Sequence, residues 1–270
     1  MRLAWATDVH LDFLSPAQID AFADRIAALG PHAVLLSGDI STAPRLEGDL
    51  ERLAGLIERP IYFVLGNHDF YGGSVEGVRS VARRLTESSP RLRWLPAAGV
   101  VPLTPRCALV GQDGWGDGRA GNFGRSRILL NDWHAIAELA EIGAMFDVRA
   151  RIDRVRALGD ASARALEADL PGALAAYEEV IVVTHVPPFE GACWHEGAVS
   201  SPDWLPWFTC RAVGDVLLAQ ARLHPERRLR VYCGHTHSAG RYLAAPNLEV
   251  LTGAADYGAP EVTAIDVDAA

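Results

Sequence analysis

The feature that most constrains the fold of this chain is a series of short, continuous hydrophobic runs, each ending in a polar loop. In chain order they are RLAWATDVH, AVLLSGD, IYFVLGNHD, CALVGQD, VIVVTH, LRVYCGHTH, LEVLTG and VTAIDVD. Runs of this length without polar alternation are typical of strands buried on both faces. Helical patterns occur between the first of them, at residues 16–29, 45–58 and 74–87. This alternation of strands and helices predicts an α/β fold.

Two long segments separate the later runs. Residues 131–179 are rich in Ala, Arg and Glu, which predicts a helical insertion of two or three helices, broken near Gly159 and Pro171. Residues 187–210 form a long loop rich in Pro, Gly and Trp, and such loops are often functional. We see no internal repeat and no low-complexity linker, so we expect residues 1–270 to form a single domain.

The composition allows a sizeable core and limits the choice of partners. Hydrophobic residues make up 49% of the 270 residues, and the formal net charge is −9. A dedicated nucleic-acid-binding domain normally carries a basic surface, so this charge disfavours DNA or RNA as a partner. Every basic residue is arginine, and the absence of lysine excludes both a P-loop lysine and a Schiff-base lysine.

The cysteines and the hydropathy indicate a compartment. The four cysteines, at positions 107, 193, 210 and 233, form no CxxC pair, which argues against a zinc knuckle or a thioredoxin-type site. The first strand is expected to begin at Arg2, leaving no room for a signal peptide. No apolar run approaches the roughly 20 residues that span a membrane. We therefore expect a soluble cytoplasmic protein without a membrane partner.

Residues with metal-binding side chains follow five of the hydrophobic runs. In open α/β sheets, sites form beyond the carboxyl ends of the strands, so these groups can meet at one rim. Taken singly, each has an ordinary explanation as a turn, a helix cap or a buried structural histidine. Taken together, they are too many for one metal ion and suit two. The groups are Asp8 and His10, then Asp39, then Asn67 with His68 and Asp69, then His185, and finally His235 with His237.

The five groups together carry a family resemblance. The order Asp-x-His, Gly-Asp, Gly-Asn-His-Asp, His and Gly-His-x-His, from residue 8 to residue 237, resembles that of the calcineurin-like metallophosphoesterases. The resemblance implies a four-layer α/β/β/α sandwich with its site at the rim of two sheets. It also implies a binuclear centre of divalent or trivalent ions, and mixed nitrogen and oxygen ligands suit manganese, iron or zinc alike.

The resemblance further assigns a role to each residue of the five groups. The first ion would be held by Asp8, His10 and His237. The second would be held by Asn67, His185 and His235. The remaining residues would be Asp39 as the bridge between the ions, His68 as the catalytic histidine and Asp69 as the residue that orients it.

The implied activity is hydrolysis of a phosphomonoester or phosphodiester of a small molecule by metal-activated hydroxide. A nuclease of the same fold would need a basic groove, and a non-catalytic interaction scaffold would be expected to lack ligands or His68. Trp194 and His195, in the loop after His185, are candidate substrate contacts, with a local packing cluster as the alternative. The sequence leaves open the substrate, the identity of the metals and the oligomeric state.

Overall fold

Thirteen strands appear in the structure, a computed structural model that describes residues 1–145 and 147–267. In chain order they are β1 (Arg2–Ala6), β2 (Ala33–Ser37), β3 (Ile61–Val64), β4 (Leu92–Trp94), β5 (Val101–Pro102), β6 (Cys107–Gln112), β7 (Glu179–Thr184), β8 (Trp194–His195), β9 (Ala198–Val199), β10 (Arg228–Cys233), β11 (Gly240–Ala245), β12 (Leu248–Thr252) and β13 (Thr263–Asp266). Every predicted hydrophobic run forms a strand, whereas the short strands β4, β5, β8 and β9 and the strand β11 were not predicted.

The strands form two large sheets and one small hairpin. The five-stranded sheet has the order β13-β1-β2-β3-β4, and the six-stranded sheet has the order β11-β12-β10-β7-β6-β5. The inner strands of both sheets are parallel, and antiparallel strands occur at their edges. The hairpin joins β8 to β9. Parallel strands in register bring their carboxyl ends to one rim, which is where the polar groups lie.

Helices occur in the connections between the strands, and the longer ones cover the outer face of each sheet. In chain order they are α1 (Pro16–Ala28), α2 (Leu46–Ile57), α3 (Val75–Ser88), α4 (Leu95–Ala98), α5 (Asp132–Ala135), α6 (Ala137–Ala144), α7 (Val148–Ala176), α8 (Leu205–Phe208) and α9 (Arg211–Leu223). A capping box at Ser15 and Gln18 begins α1, with Pro16 in its first turn as predicted.

Three hydrophobic cores separate the four layers. Helices α1 to α3 pack on the five-stranded sheet through residues such as Phe22 and Leu50. Helices α7 and α9 pack on the six-stranded sheet through residues such as Leu170 and Leu217. The inner faces of the two sheets meet through a third cluster, in which the rings of Trp5 and Tyr232 lie 4.9 Å apart. The predicted α/β/β/α sandwich is confirmed.

The helical insertion differs from its prediction in where it is broken. Helix α7 runs for 29 residues through both Gly159 and Pro171, so the predicted breaks there are wrong. A Cβ on Gly159 would lie 2.7 Å from the Cβ of Asp117, so this glycine permits close packing. Leu170 and Leu174 are buried beside Pro171, and this packing outweighs the roughly 3 kcal/mol that an internal proline costs.

The helices of the insertion begin and end at other signals. Asp147 caps α7 by accepting hydrogen bonds from the main-chain N–H groups of Arg149 and Ala150. Phe146 and residues 268–270 lie outside the described residues, so a single domain over residues 1–270 stays a prediction. Among the helices of the described residues, none combines the length and the apolar character required to cross a membrane.

Candidate metal centre

The structure brings the residues predicted at the strand ends together at one rim of the two sheets. Potential ligand atoms of Asp8, His10, Asp39 and His237 all lie within 4.8 Å of one another. A second group with the same spacing contains Asp39, His185 and His235. Only Asp39 belongs to both groups, and the assignment of these residues and of Asn67 as ligands of two ions stays a prediction.

The interatomic distances within these groups are those of side chains facing a common point. In the second group, Nε2 of His185 lies 3.1 Å from Nδ1 of His235, 3.3 Å from Oδ1 of Asn67 and 3.4 Å from Oδ1 of Asp39. In the first group, Oδ2 of Asp39 lies 4.0 Å from Nε2 of His10. Asp39 therefore directs one carboxylate oxygen toward each group, as a bridging ligand would.

One histidine provides a test of whether these residues suit metal ions. His10 is fully buried, and neither of its ring nitrogens has a hydrogen-bond partner in the described structure. A buried polar atom without a partner is rare and costs free energy. A metal ion bound by Asp8, His10, Asp39 and His237 would supply the missing partner for one nitrogen, so the residues present fit such an ion.

Ionisation in this cluster also suits metal binding, which requires deprotonated ligands. Burial lowers the pKa of His10 to about 4, and burial with the neighbouring charge of His185 lowers that of His235 to about 3. Burial opposes ionisation of Asp8, but its hydrogen bond with His237 and the charge of His185 lower its pKa to about 2. At neutral pH these groups are thus neutral imidazoles and a carboxylate.

The pKa of His185 reflects the negative charge of the carboxylates around it. Burial alone would lower its pKa, but the charge of Asp39 and a hydrogen bond with it raise the pKa to about 10. The same interactions hold the pKa of Asp39 well below its usual value against the effect of burial. A proton on His185 balances the buried carboxylates, and a bound cation would take over that function.

The backbone at the centre is strained. Positive φ angles occur at Asp8 (49°), His10 (41°), Asp39 (51°), His235 (70°) and His237 (60°). A non-glycine residue in this region costs on the order of 1–3 kcal/mol and persists only where surrounding contacts hold it. The contacts include main-chain hydrogen bonds of 3.0 Å from Asp8 to Gly38 and from His10 to Asp39.

Close approach of neighbouring loops explains two glycines of the motifs. A Cβ on Gly66 would lie 2.1 Å from Oδ1 of Asp39. A Cβ on Gly234 would lie 2.1 Å from Oδ2 of Asp8. Any side chain at either position would therefore displace a predicted ligand.

Asp69 connects two of the loops that carry ligands. Its Oδ1 accepts hydrogen bonds from the main-chain N–H groups of Ile40 (2.8 Å) and Ser41 (2.9 Å), and its Oδ2 accepts one from Gly66 (2.8 Å). These contacts hold the loop after β2 against the loop after β3. Both oxygens of the Asp69 carboxylate accept hydrogen bonds from the backbone. The predicted orientation of the His68 ring by Asp69 therefore stays a prediction.

Asp132, at the start of α5, is a residue of the site that sequence reasoning missed. Its buried Oδ1 accepts hydrogen bonds from Nδ2 of Asn67 (2.9 Å) and from the hydroxyl of Tyr71 (2.7 Å). With its amide nitrogen held in this way, Asn67 presents its oxygen to His185. Nothing in the sequence links these residues, which are 65 positions apart.

Replacing Asp132 by alanine should weaken metal binding at the group of Asn67, His185 and His235. Residues that support metal ligands typically contribute about 10–100-fold to metal affinity. Titration of metal-free protein measures this loss, and Asp132→Asn should lose less because its amide oxygen can still accept. Asp153→Ala is the matched control, since Asp153 is exposed on α7. Unchanged affinity in a folded Asp132→Ala protein would contradict the role.

A cavity of about 270 Å³ opens over the ligand cluster. His68 lies in it, with its ring stacked on Tyr71 at 4.3 Å and edge-on to His10 at 4.6 Å. His195 also lines the cavity and is held by a 3.1 Å hydrogen bond between its Nδ1 and the carbonyl of Thr236. The full lining comprises Asp39, Asn67, His68, Tyr71, Leu130, Asn131, His195, Trp204, Phe208, His235, Thr236, His237 and Tyr257.

Trp194 occupies a different place from its neighbour His195. Its indole lies against the backbone of Gly240, where an added Cβ would meet the ring at 2.0 Å. Trp204, ten positions further along the same loop, faces the cavity instead. Substrate contacts by Trp194 and His195 stay predictions.

Comparison with known proteins agrees with this geometry. The sequence model of the calcineurin-like phosphoesterase family matches residues 1–239, which include every predicted ligand. The chain belongs to the calcineurin-like phosphoesterases. Membership implies a binuclear metal centre and supports metal-dependent phosphoester hydrolysis as the general activity. A search of curated proteins finds no match to this calcineurin-like phosphoesterase.

Solved structures share the fold at low sequence identity. Phosphopantetheinyl hydrolase from Mycobacterium tuberculosis aligns with a TM-score of 0.57 and 12% identity, over 93% of this chain and 89% of that one. A dimetal phosphatase from Danio rerio aligns with a TM-score of 0.55 and 15% identity, over 93% of this chain and 86% of that one. At these identities, the similarity establishes the fold of the calcineurin-like phosphoesterase alone.

Proposed function

We propose that this calcineurin-like phosphoesterase hydrolyses a phosphate ester of a small molecule at a centre of two metal ions. The observation that carries the proposal is the position of Asp39, whose two oxygens face two separate ligand groups. Asp8, His10 and His237 would complete the first group. The second would be completed by Asn67, His185 and His235.

The bound ions would neutralise the phosphate and lower the pKa of water to supply hydroxide near neutral pH. Burial keeps the proposed ligands His10 and His235 neutral while Asp8 and Asp39 are ionised, and His185 would release its proton when an ion binds. Two divalent ions against these two carboxylates would leave a local charge of about +2. An acidic protein can therefore still attract an anionic ester to this cavity.

His68 would act on the substrate directly. Its main-chain N–H donates a 2.8 Å hydrogen bond to Oδ1 of Asp39, which places the residue beside the bridging carboxylate. Its ring faces the cavity, supported by Tyr71. From there the imidazole can donate a proton to the departing ester oxygen or contact the phosphoryl group. Asp69 would act through the backbone, by holding the loops of Asp39 and Asn67 together.

The cytoplasm is the compartment that we propose for this activity. All four cysteines, Cys107, Cys193, Cys210 and Cys233, are free and buried, which suits a reducing environment. Burial also raises the pKa of the Cys193 and Cys210 thiols to about 12, so they remain protonated.

A hydrolysis screen of metal-reconstituted protein tests the proposed function. Metal-free protein is loaded with manganese, iron or zinc and assayed on p-nitrophenyl phosphate, bis(p-nitrophenyl) phosphate, cyclic nucleotides and single-stranded DNA. We expect turnover of at least one small ester that appears with metal and disappears with chelator, since metal supplies both charge and nucleophile. Turnover of DNA alone, or no metal-dependent turnover of any ester, would overturn the proposal.

A further inference from the structure

Aromatic side chains line the cavity on the side of the second ligand group. The ring of Phe208 meets that of His235 edge-on at 5.1 Å. Trp204 stacks on Phe208 at 4.9 Å with an interplanar angle of 22° and is only half-buried. The indole therefore offers a flat apolar surface a short distance outward from the metal ligands. We call Phe208 and Trp204 the inner wall.

A second aromatic surface lies on the side of the first ligand group. The ring of Tyr257 lies 4.5 Å from that of His10 and 5.3 Å from that of His237. Phe13 continues this surface at 4.9 Å from Tyr257. Tyr257 lines the cavity and is 52% exposed, whereas Phe13 is 57% exposed and lies next to Tyr257 outside the described lining. We call Tyr257 and Phe13 the outer wall.

Arginine side chains do not contribute to the cavity wall in the part of the chain that the structure describes. The chain has 25 basic residues, all of them arginine, yet none is among the described residues that line it. Arginine is the side chain whose geometry best matches a phosphate group with free, unesterified oxygens, because its guanidinium donates two parallel hydrogen bonds. Besides the ions, the groups of the described lining that could carry positive charge are therefore imidazoles, such as that of His68.

Charge balance then distinguishes the two kinds of ester. A local charge of about +2 falls to about +1 once hydroxide is present. A phosphodiester carries a single negative charge and would balance it. A phosphomonoester carries close to two negative charges at pH 7, because its second pKa is about 6. With no guanidinium beside it, the additional charge would have only imidazoles such as that of His68 to pair with.

We propose that the substrate of this site is a phosphodiester with an organic arm against each aromatic wall, one of these arms being planar and uncharged. This inference rests on the proposed function and adds the substrate class to it. A monoester has one arm and would leave one wall without a partner. Stacking against Trp204 or Tyr257 would select the planar arm.

A series of p-nitrophenyl esters with one constant leaving group tests this proposal. The remaining substituent is absent in p-nitrophenyl phosphate, methyl in methyl p-nitrophenyl phosphate and aromatic in phenyl p-nitrophenyl phosphate. For the metal-loaded protein, we expect kcat/KM to rise in that order. We also expect calorimetric titration to show tighter binding of diphenyl phosphate than of phenyl phosphate.

Two variants identify the wall that holds the planar arm. Because the varied arm rests on one of the two walls, the phenyl-to-methyl ratio of kcat/KM should fall about tenfold in Trp204→Ala or in Tyr257→Ala, by analogy with base stacking. The ratio compares two substrates of one protein, so a general loss of stability does not change it. Tyr177→Ala is the matched control, since Tyr177 precedes β7 at the opposite end of the sheet.

The outcomes separate this inference from the proposed function. Turnover that favours the monoester over both diesters would overturn the inference and leave the proposed function standing. An unchanged phenyl-to-methyl ratio in both wall variants, or equal affinity for diphenyl phosphate and phenyl phosphate, would also overturn it. No metal-dependent turnover of any ester would overturn both.

Discussion

Replacing Asp39 by asparagine should remove metal from both ligand groups and abolish nearly all turnover. The carboxylate directs Oδ1 toward His185 and Oδ2 toward His10, and an amide would place an N–H₂ group on one of these sides. Residues that merely support metal ligands contribute about 10–100-fold, so we expect a loss beyond about 100-fold for a ligand shared by two ions. Elemental analysis and kcat measure the two effects.

Asp49→Asn provides the matched control for this experiment. Asp49 is also buried, but its contacts are with Ser41 and Arg45 rather than with the ligand groups. The control variant should keep two ions per chain. An Asp39→Asn protein that retained two ions and normal turnover would show that Asp39 does not bridge them.

His68→Ala should have a different effect, namely near-normal metal content with a large fall in kcat. The imidazole faces the cavity, whereas the bond that the residue makes with Asp39 comes from its main chain and survives the substitution. Loss of a general acid typically costs about 10²–10⁴-fold in rate. The exposed His134, on α5, provides the matched control as His134→Ala.

The leaving group of the substrate distinguishes the roles open to His68. A proton donor matters less when the departing oxygen is a weak base, so the loss should shrink for p-nitrophenyl esters and grow for alkyl esters. Equal losses for both would indicate that His68 binds the phosphoryl group instead. Loss of metal in the His68→Ala protein would make His68 a ligand and contradict the assignment.

The strands and the meeting of the polar groups at one rim could be predicted because both are encoded locally. A buried parallel strand needs a continuous hydrophobic run, and the residues that follow it must lie at the carboxyl rim. Asp8, Asp39 and His185 each lie within two residues of the end of such a strand. Their grouping into two ligand sets came from the resemblance to the family, and the geometry agrees with it.

The parts that escaped prediction depend on contacts between distant segments. Asp132 supports Asn67 across 65 positions, and Tyr257 covers His10 from a loop beyond the matched family region. Neither residue belongs to a motif that could be read locally. Helix α7 continues through Pro171 for a similar reason, because burial against the six-stranded sheet overrides the local signal.

The most direct test of the central claim is an anomalous difference map from crystals of the protein loaded with manganese. The account predicts two peaks about 3.5–4 Å apart, the usual spacing of a two-metal site. One peak should lie among Asp8, His10, Asp39 and His237, and the other among Asp39, Asn67, His185 and His235. A single peak, or peaks away from Asp39, would contradict a binuclear centre bridged by that carboxylate.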